Sequence, residues 1–149
     1  MSLKEQLFSD LKEAMREKDT LRKDTIQIVR AGILQIEKDE KIVLDDFGVI
    51  DVISRELKKR NDVLPDYEKS GREDSVKEIL RQIELLKSYL PKQLSENEIE
   101  TIVASAIEKL NASSMKDMGA VMAAVTPELK GKADNKTVSG IVKKLLNKQ

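Results

Sequence analysis

The chain has 149 residues, 27 Lys and Arg against 27 Asp and Glu, 40% apolar and 36% charged residues, and only 3% aromatics. It has no Cys and no His, which excludes disulfides and thiolate chemistry and removes the commonest general base and metal ligand. No stretch is apolar for long enough to span a bilayer, and the N-terminus is amphipathic with mixed charge rather than a signal peptide.

Ser2-Leu3-Lys4-Glu5 reads as a capping box, and Leu3, Leu7, Leu11, Ala14 and Met15 follow at helical spacing. The first helix therefore runs from about Ser2 to Lys18. A second carries Leu21, Thr25, Ile28, Val29, Gly32, Ile33 and Ile36. Gly32 in its middle costs about 1 kcal/mol against Ala, so a close helix–helix approach is its expected role. Asp45 or Asp46 caps a third helix with Val49 or Ile50, Ile53, Leu57, Leu64 and Tyr67 on its stripe. Pro65 removes a hydrogen bond and crowds the preceding turn, so this helix is expected to kink or stop near Asn61–Pro65. After the turn Lys69-Ser70-Gly71-Arg72, a fourth helix carries Val76, Ile79, Leu80, Ile83, Leu86 and Leu90, and Pro91 closes it.

Composition shifts at Pro91–Leu94, which is read as the boundary between an N-terminal region, 1–91, and a C-terminal region, 92–149. Ser95-Glu96-Asn97-Glu98 is a second capping box, opening a helix with Ile99, Ile102, Val103, Ala106, Ile107 and Leu110. Ser114 with Asp117 caps a short helix over Met115–Val125, with Met115, Met118 and Met122 at core spacing, and Thr126-Pro127 is expected to stop it. A last helix, with Asp134, Asn135 or Thr137 as cap, carries Val138, Ile141, Val142, Leu145 and Leu146. The fold class is all-α: a bundle of about four helices followed by a small three-helix domain.

The candidate site lies between the last two helices. Gly131 between Lys130 and Lys132 permits a sharp turn that brings backbone N–H groups toward a ligand, and the helix start beyond it favours an anion. Leu129–Gln149 holds six lysines against Asp134 alone, a local charge of +5 on a neutral chain. Lys130, Gly131, Lys132, Lys136, Lys143 and Lys144 are the candidate nucleic-acid-binding residues. The same residues also read as the wet face of a terminal helix, and on residues alone that reading is the more economical one. No aromatic lies in this stretch, so binding would be through phosphate and shape rather than base stacking. A second basic cluster, Arg55, Lys58, Lys59 and Arg60, has Asp51, Glu56 and Asp62 beside it and reads as a paired, solvated face. Serines have no His to activate them, no carboxylates show metal spacing, and no phosphate-loop or dinucleotide motif occurs. No catalytic residue, cofactor or metal is implied.

Leu90-Pro91-Lys92-Gln93-Leu94-Ser95-Glu96, Lys116-Asp117-Met118-Gly119-x-x-Met122, Lys130-Gly131-Lys132-Ala133-Asp134 and Val138-x-x-Ile141-Val142 resemble the YqeY family. Lys58-Lys59-Arg60, Tyr67-Glu68-Lys69-x-Gly71-Arg72-Glu73-Asp74 and Tyr89 extend the resemblance over nearly the whole chain. It implies a four-helix region and a small helical domain similar to the tail of the B subunit of the tRNA-dependent amidotransferase, which contacts the tRNA body. The family's label as a carbon–nitrogen ligase with glutamine as amide donor comes by this kinship. The chain itself has no amidase part, ATP site or zinc ligands. What the resemblance carries over is a grip on tRNA or another structured RNA, or help to an amidotransferase or another aminoacyl-tRNA-handling protein, without independent catalysis. A helical protein-interaction adaptor is one alternative, and the carbon–nitrogen ligase activity with glutamine as amide donor that the resemblance implies is the other. The resemblance makes Asp117 a cap and Gly119 a close-packing residue. Ala120 stands where such motifs often have Lys, and Leu64-Pro65 where the family usually continues a plain helix. A cytoplasmic location is expected.

Overall fold

The apolar stripes do fold as helices. In the computed structural model, which describes residues 1–148, the order is α1 (Leu3–Arg16), α2 (Thr20–Glu40), α3 (Asp46–Lys69), α4 (Glu73–Tyr89), α5 (Glu96–Leu110), a 3₁₀ turn (Met115–Asp117), α6 (Met118–Leu129) and α7 (Asn135–Asn147). No strand occurs among the described residues, and the chain is all-α. It divides into two compact units, Met1–Leu90 and Pro91–Gln149.

The first unit is α1–α4 around Leu7, Leu11, Ile26, Val29, Ile33, Val49, Ile53 and Leu86. Its starts are set by short polar side chains. Ser2 Oγ accepts from Glu5 N–H, Asp19 from Arg22 N–H and Asp45 from Gly48 N–H, each satisfying one donor that the first helical turn leaves free. Gly32 has the expected role: a Cβ there would stand 3.1 Å from Val52 Cγ1, so its absence lets α2 approach α3. The stripe of α2 is turned slightly from expectation. Ile26 is buried and Ile28 half-exposed, and Thr25 enters the core with its hydroxyl donating to Leu21 O at 2.8 Å. Elsewhere Met15 and Leu80 face outward, while Val52 and Tyr89 are buried. The Tyr89 hydroxyl donates to Asp10, and Asp10 also meets Arg22, so one carboxylate joins α1, α2 and α4. Burial, and then this hydrogen bond, push the Tyr89 hydroxyl well above its ordinary pKa.

Pro65 neither ends nor interrupts α3, which runs on to Lys69. The carbonyl that loses its partner belongs to Asn61, and residues 61–63, 65 and 66 are all exposed, so this side of the helix is open to solvent. Leu64 and Tyr67 remain partly buried, and Arg60 Nε donates to Gln82 Oε1 at 2.8 Å, tying α3 to α4 just before the proline.

The second unit packs α5, α6 and α7 around Ile99, Val103, Ile107, Val121, Val125, Leu129, Val138, Val142 and Leu146. Ser95 caps α5, and Asn111 ends it in the left-handed conformation at φ 54°. Ser114 and Asp117 form a complete capping box. It opens the 3₁₀ turn rather than α6 directly. Pro127 does not stop α6 either. Ala123, whose carbonyl it leaves unbonded, is exposed, while Val125 and Leu129 hold the last turn in the core. Met118 and Met122 pack against that core, but Met115 is 40% exposed. Gly119 is not a close-packing residue: a Cβ there would find nothing within 4 Å.

Candidate nucleic-acid interface

The core of the second unit determines how α7 is presented. Val138, Ile141, Val142 and Leu146 are buried, which leaves Lys136, Gly140, Lys143 and Asn147, spaced i, i+4, i+7 and i+11, along the exposed side. Lys136 and Lys143 thus share one outward stripe. Lys144 lies a step round the helix, where its ammonium meets Glu100 of α5 at 3.1 Å.

The loop before α7 is a type II turn. Lys130 has φ −56° and ψ 122°, Gly131 has φ 75°, and Lys132 N–H donates to Leu129 O at 2.9 Å. The third of the four turn positions requires positive φ, which glycine adopts without steric cost and other residues do not. Ala133 N–H donates to the same carbonyl at 3.2 Å. Asp134 then caps α7, its carboxylate accepting from Lys136 N–H at 3.4 Å.

These bonds change the expected chemistry. The amides of Lys132 and Ala133 are spent inside the turn, and a carboxylate already sits at the start of α7. The loop is therefore not a cradle of free backbone N–H groups. Gly131 serves as the bend, and the polar groups left facing solvent are the lysine side chains. Lys130, Lys132, Lys136 and Lys143 are exposed, and the ammonium groups of Lys132, Lys136 and Lys143 make no ion pair with the described residues.

Two further residues hold the loop in place. Gln93 Nε2 donates to Gly131 O at 2.6 Å and to Pro91 O at 3.1 Å, and Leu94 N–H donates to Lys132 O at 2.9 Å. The segment before α5 thus clasps the turn before α7, some 38 residues later in sequence. Reading by helix pattern passes over Gln93, because it lies on no stripe. The signal available was its place in Pro-Lys-Gln-Leu, an extended stretch whose backbone and amide groups need partners outside any helix.

Three of the four cations in the basic cluster on α3 are paired internally, and Arg55 is exposed with no ion pair among the described residues. Lys58 pairs with Asp62 at 3.0 Å, and Glu56 receives Lys59 at 3.1 Å and Arg60 at 2.8 Å. Burial is the largest single effect and raises the Glu56 pKa, but the hydrogen bonds and positive charges of Arg60 and Lys59 together outweigh it and hold the carboxyl below its ordinary value. Among the described residues no group of three or more acidic side chains is placed to hold a metal, and no helix is long and apolar enough to cross a membrane.

A family model described as Yqey-like protein matches residues 4–146, the span of both units. The chain belongs to this family. Curated relatives of this Yqey-like chain are named Altered inheritance of mitochondria protein 41, mitochondrial. The one from Pyrenophora tritici-repentis is 31% identical over 137 residues, covering 89% of this chain and 75% of the relative. That from Lachancea thermotolerans is 36% identical over 111 residues, covering 72% and 59%, and that from Kluyveromyces lactis 33% over 141 residues, covering 92% and 72%. These names overturn the expectation of a cytoplasmic protein, since the relatives are mitochondrial. Absence of cysteine and of a long apolar run, on which that expectation stood, does not distinguish one aqueous compartment from another.

Proposed function

We propose that this Yqey-like protein binds structured RNA of the tRNA kind through Lys132, Lys136 and Lys143, as an accessory to an enzyme that handles aminoacyl-tRNA. The observation that carries this reading is that these three exposed ammonium groups, on the turn and outward stripe of α7, make no ion pair among the described residues. Solvated lysines on a terminal helix are common. Here Lys132 lies on a bend that Gln93 and Leu94 clasp, so its backbone is fixed by hydrogen bonds rather than left free. Lys130 supplements the group, Lys144 does so if an RNA phosphate competes with Glu100, and Gly131 sets the bend. The amidotransferase kinship enters only through the resemblance of the second unit to that enzyme's tail, and an amide-transfer activity of this chain is no part of the proposal.

The test is binding of a tRNA transcript followed by fluorescence anisotropy across a salt series. Each phosphate neutralised contributes roughly 0.7 to 0.9 to the log–log slope. Lys132→Ala, Lys136→Ala and Lys143→Ala together are expected to weaken binding and to reduce the slope by about 2 to 3. Unchanged affinity and slope in the triple variant would exclude this face. Recovery of the same protein partners from RNase-treated lysate, with no binding of purified tRNA, would replace the proposal with the helical adaptor.

A further inference from the structure

The aromatic side chains missing from the lysine-bearing unit are all in the other one. Phe8, Phe47, Tyr67 and Tyr89 are the four aromatics of the chain. Phe8 is engaged by Lys12 and Arg30 over its ring, at 4.3 and 4.9 Å from the centroid. Tyr89 is buried on Asp10, and Phe47 stands out on the surface. Tyr67 differs from all three. It lines an open cleft of about 370 Å³ at the tip of the α3–α4 hairpin, with Glu68, Arg72, Glu73, Val76 and Lys77 as neighbours.

Some of the unit's cations are held in ion pairs and others are not. Arg22, Arg60, Lys4 and Lys59 are all ion-paired, whereas the side chains of Arg72, Lys77, Glu68 and Glu73 have no hydrogen-bond or ion-pair partner among the described residues. Two unpaired cations, two unpaired carboxylates, a half-buried phenol ring and the apolar Val76 therefore share one concave surface. A phosphate track would not include the carboxylates, and an apolar ligand would not need the cations. A single nucleotide uses every part. Its base stacks on an aromatic ring, its exocyclic amine donates to a carboxylate, and its phosphate meets the cations. The volume falls in the range of small-ligand sites, roughly 300–1,000 Å³.

We propose that the cleft at the tip of the α3–α4 hairpin receives one unpaired nucleotide of a bound RNA, with its base against Tyr67 and its phosphate at Arg72 and Lys77. This rests on the RNA-binding reading above and adds a single-stranded contact to it.

The test compares two RNAs on the full chain: a blunt hairpin, and the same hairpin with a 3′ extension of four adenosines. The extension is expected to tighten binding at least about fivefold, the lower end of the effect of stacking one base on an aromatic side chain. Tyr67→Ala should abolish that ratio, Tyr67→Phe should keep it, and Arg72→Ala with Lys77→Ala should reduce it. The lysine triple variant should weaken both RNAs and leave the ratio standing. Equal affinities for the two RNAs, or a ratio that survives Tyr67→Ala, overturns the proposal. If neither hairpin binds, the RNA-grip reading fails, and the cleft is judged alone by titrating tetra-adenosine against amide NMR signals. Shifts centred on residues 67–77 retain the cleft as a nucleotide site, and their absence removes it.

Discussion

The two units use charge in opposite ways. Residues 1–90 carry 18 Lys and Arg against 20 Asp and Glu, a net of −2, and residues 91–149 carry nine Lys against seven Asp and Glu, a net of +2. The difference in sum is small, but the difference in placement is large. In the first unit cations reach across helices: Arg22 of α2 meets Asp10 and Glu13 of α1, Lys4 of α1 meets Glu37 of α2, and Arg81 of α4 meets Asp19. In the second, Lys132, Lys136 and Lys143 lie outside any ion pair among the described residues while a small aliphatic core holds them outward. The first unit uses several of its cations to join its own helices, though Arg72 and Lys77 stay outside that network, and the second joins α7 to α5 at Lys144–Glu100 while three of its lysines stay outside any ion pair among the described residues. Pairs across α1, α2 and α4 constrain helix orientation more than they add stability, since exposed ion pairs contribute only about 0–1 kcal/mol each.

The strongest way to separate the units is through the smaller core. Leu146 is 2% exposed and sits in a unit of under sixty residues, near the size at which one core barely suffices. Leu146→Ala is expected to cost about 2–5 kcal/mol, enough to remove most of that unit's stability. Amide hydrogen exchange should show protection lost over α5–α7 and retained over α1–α4. Equal loss in both would mean that the units do not unfold separately, and the comparison would fail.

Much of this was legible in the residues, and what was not has definite causes. Helix starts were readable because Ser2, Asp45, Ser95 and Ser114 are local signals whose side chains reach donors only two or three residues on. Helix ends at proline were not, because whether a broken hydrogen bond ends a helix depends on whether water or protein faces the orphaned carbonyl. At Pro65 and Pro127 it faces water, and packing at Tyr67 and Leu129 continues the helix beyond. The lysines of the candidate site could be named, but their surroundings could not. That Asp134 and Leu129 O consume the nearby amides, and that Gln93 clasps Gly131 O, are properties of contacts up to 38 residues apart.

Pro65 offers a change in the first unit alone. Pro65→Ala restores the donor to Asn61 O and removes the ring's crowding of the preceding turn, so it is expected to stabilise by up to about 3 kcal/mol. Part of this is offset because proline also restricts the unfolded chain. A raised denaturation midpoint by near-UV circular dichroism, which reads the first unit because all four aromatics lie there, checks it. A lowered midpoint would mean that the proline fits a bend on which the hairpin depends.

Gly131→Ala makes the complementary change in the second unit. At φ 75° a Cβ costs about 1–2 kcal/mol, and the third position of a type II turn requires that positive φ. All lysines are retained, so charge is unaltered. Weaker RNA binding in this variant, with the salt slope retained, would show that the bend positions the ammonium groups. Unchanged binding would reduce the site to loose charge.

The smallest expected effect tests whether the first unit does depend on its internal charges. Glu56 on α3 accepts from Arg60 and Lys59, which hold its carboxyl below the ordinary 4.5 despite the opposing effect of burial. A carboxyl whose folded-state pKa is depressed contributes stability that is present above pH 4.5 and is lost as pH falls through the lower folded value. Glu37, lowered by Lys4 and by the Leu44 N–H, acts in the same direction. Glu56→Gln cannot titrate, so urea midpoints of the variant should fall less steeply with acid below pH 4.5 than those of the parent chain. Above that pH the variant should be the weaker of the two, because Gln keeps a hydrogen-bond acceptor for Arg60 but not the charge. Parallel pH profiles would mean that Lys59 and Arg60 are held by solvent rather than by Glu56. The cluster of cations on α3 would then be available to a ligand after all, and the division of labour between the two units would need to be redrawn.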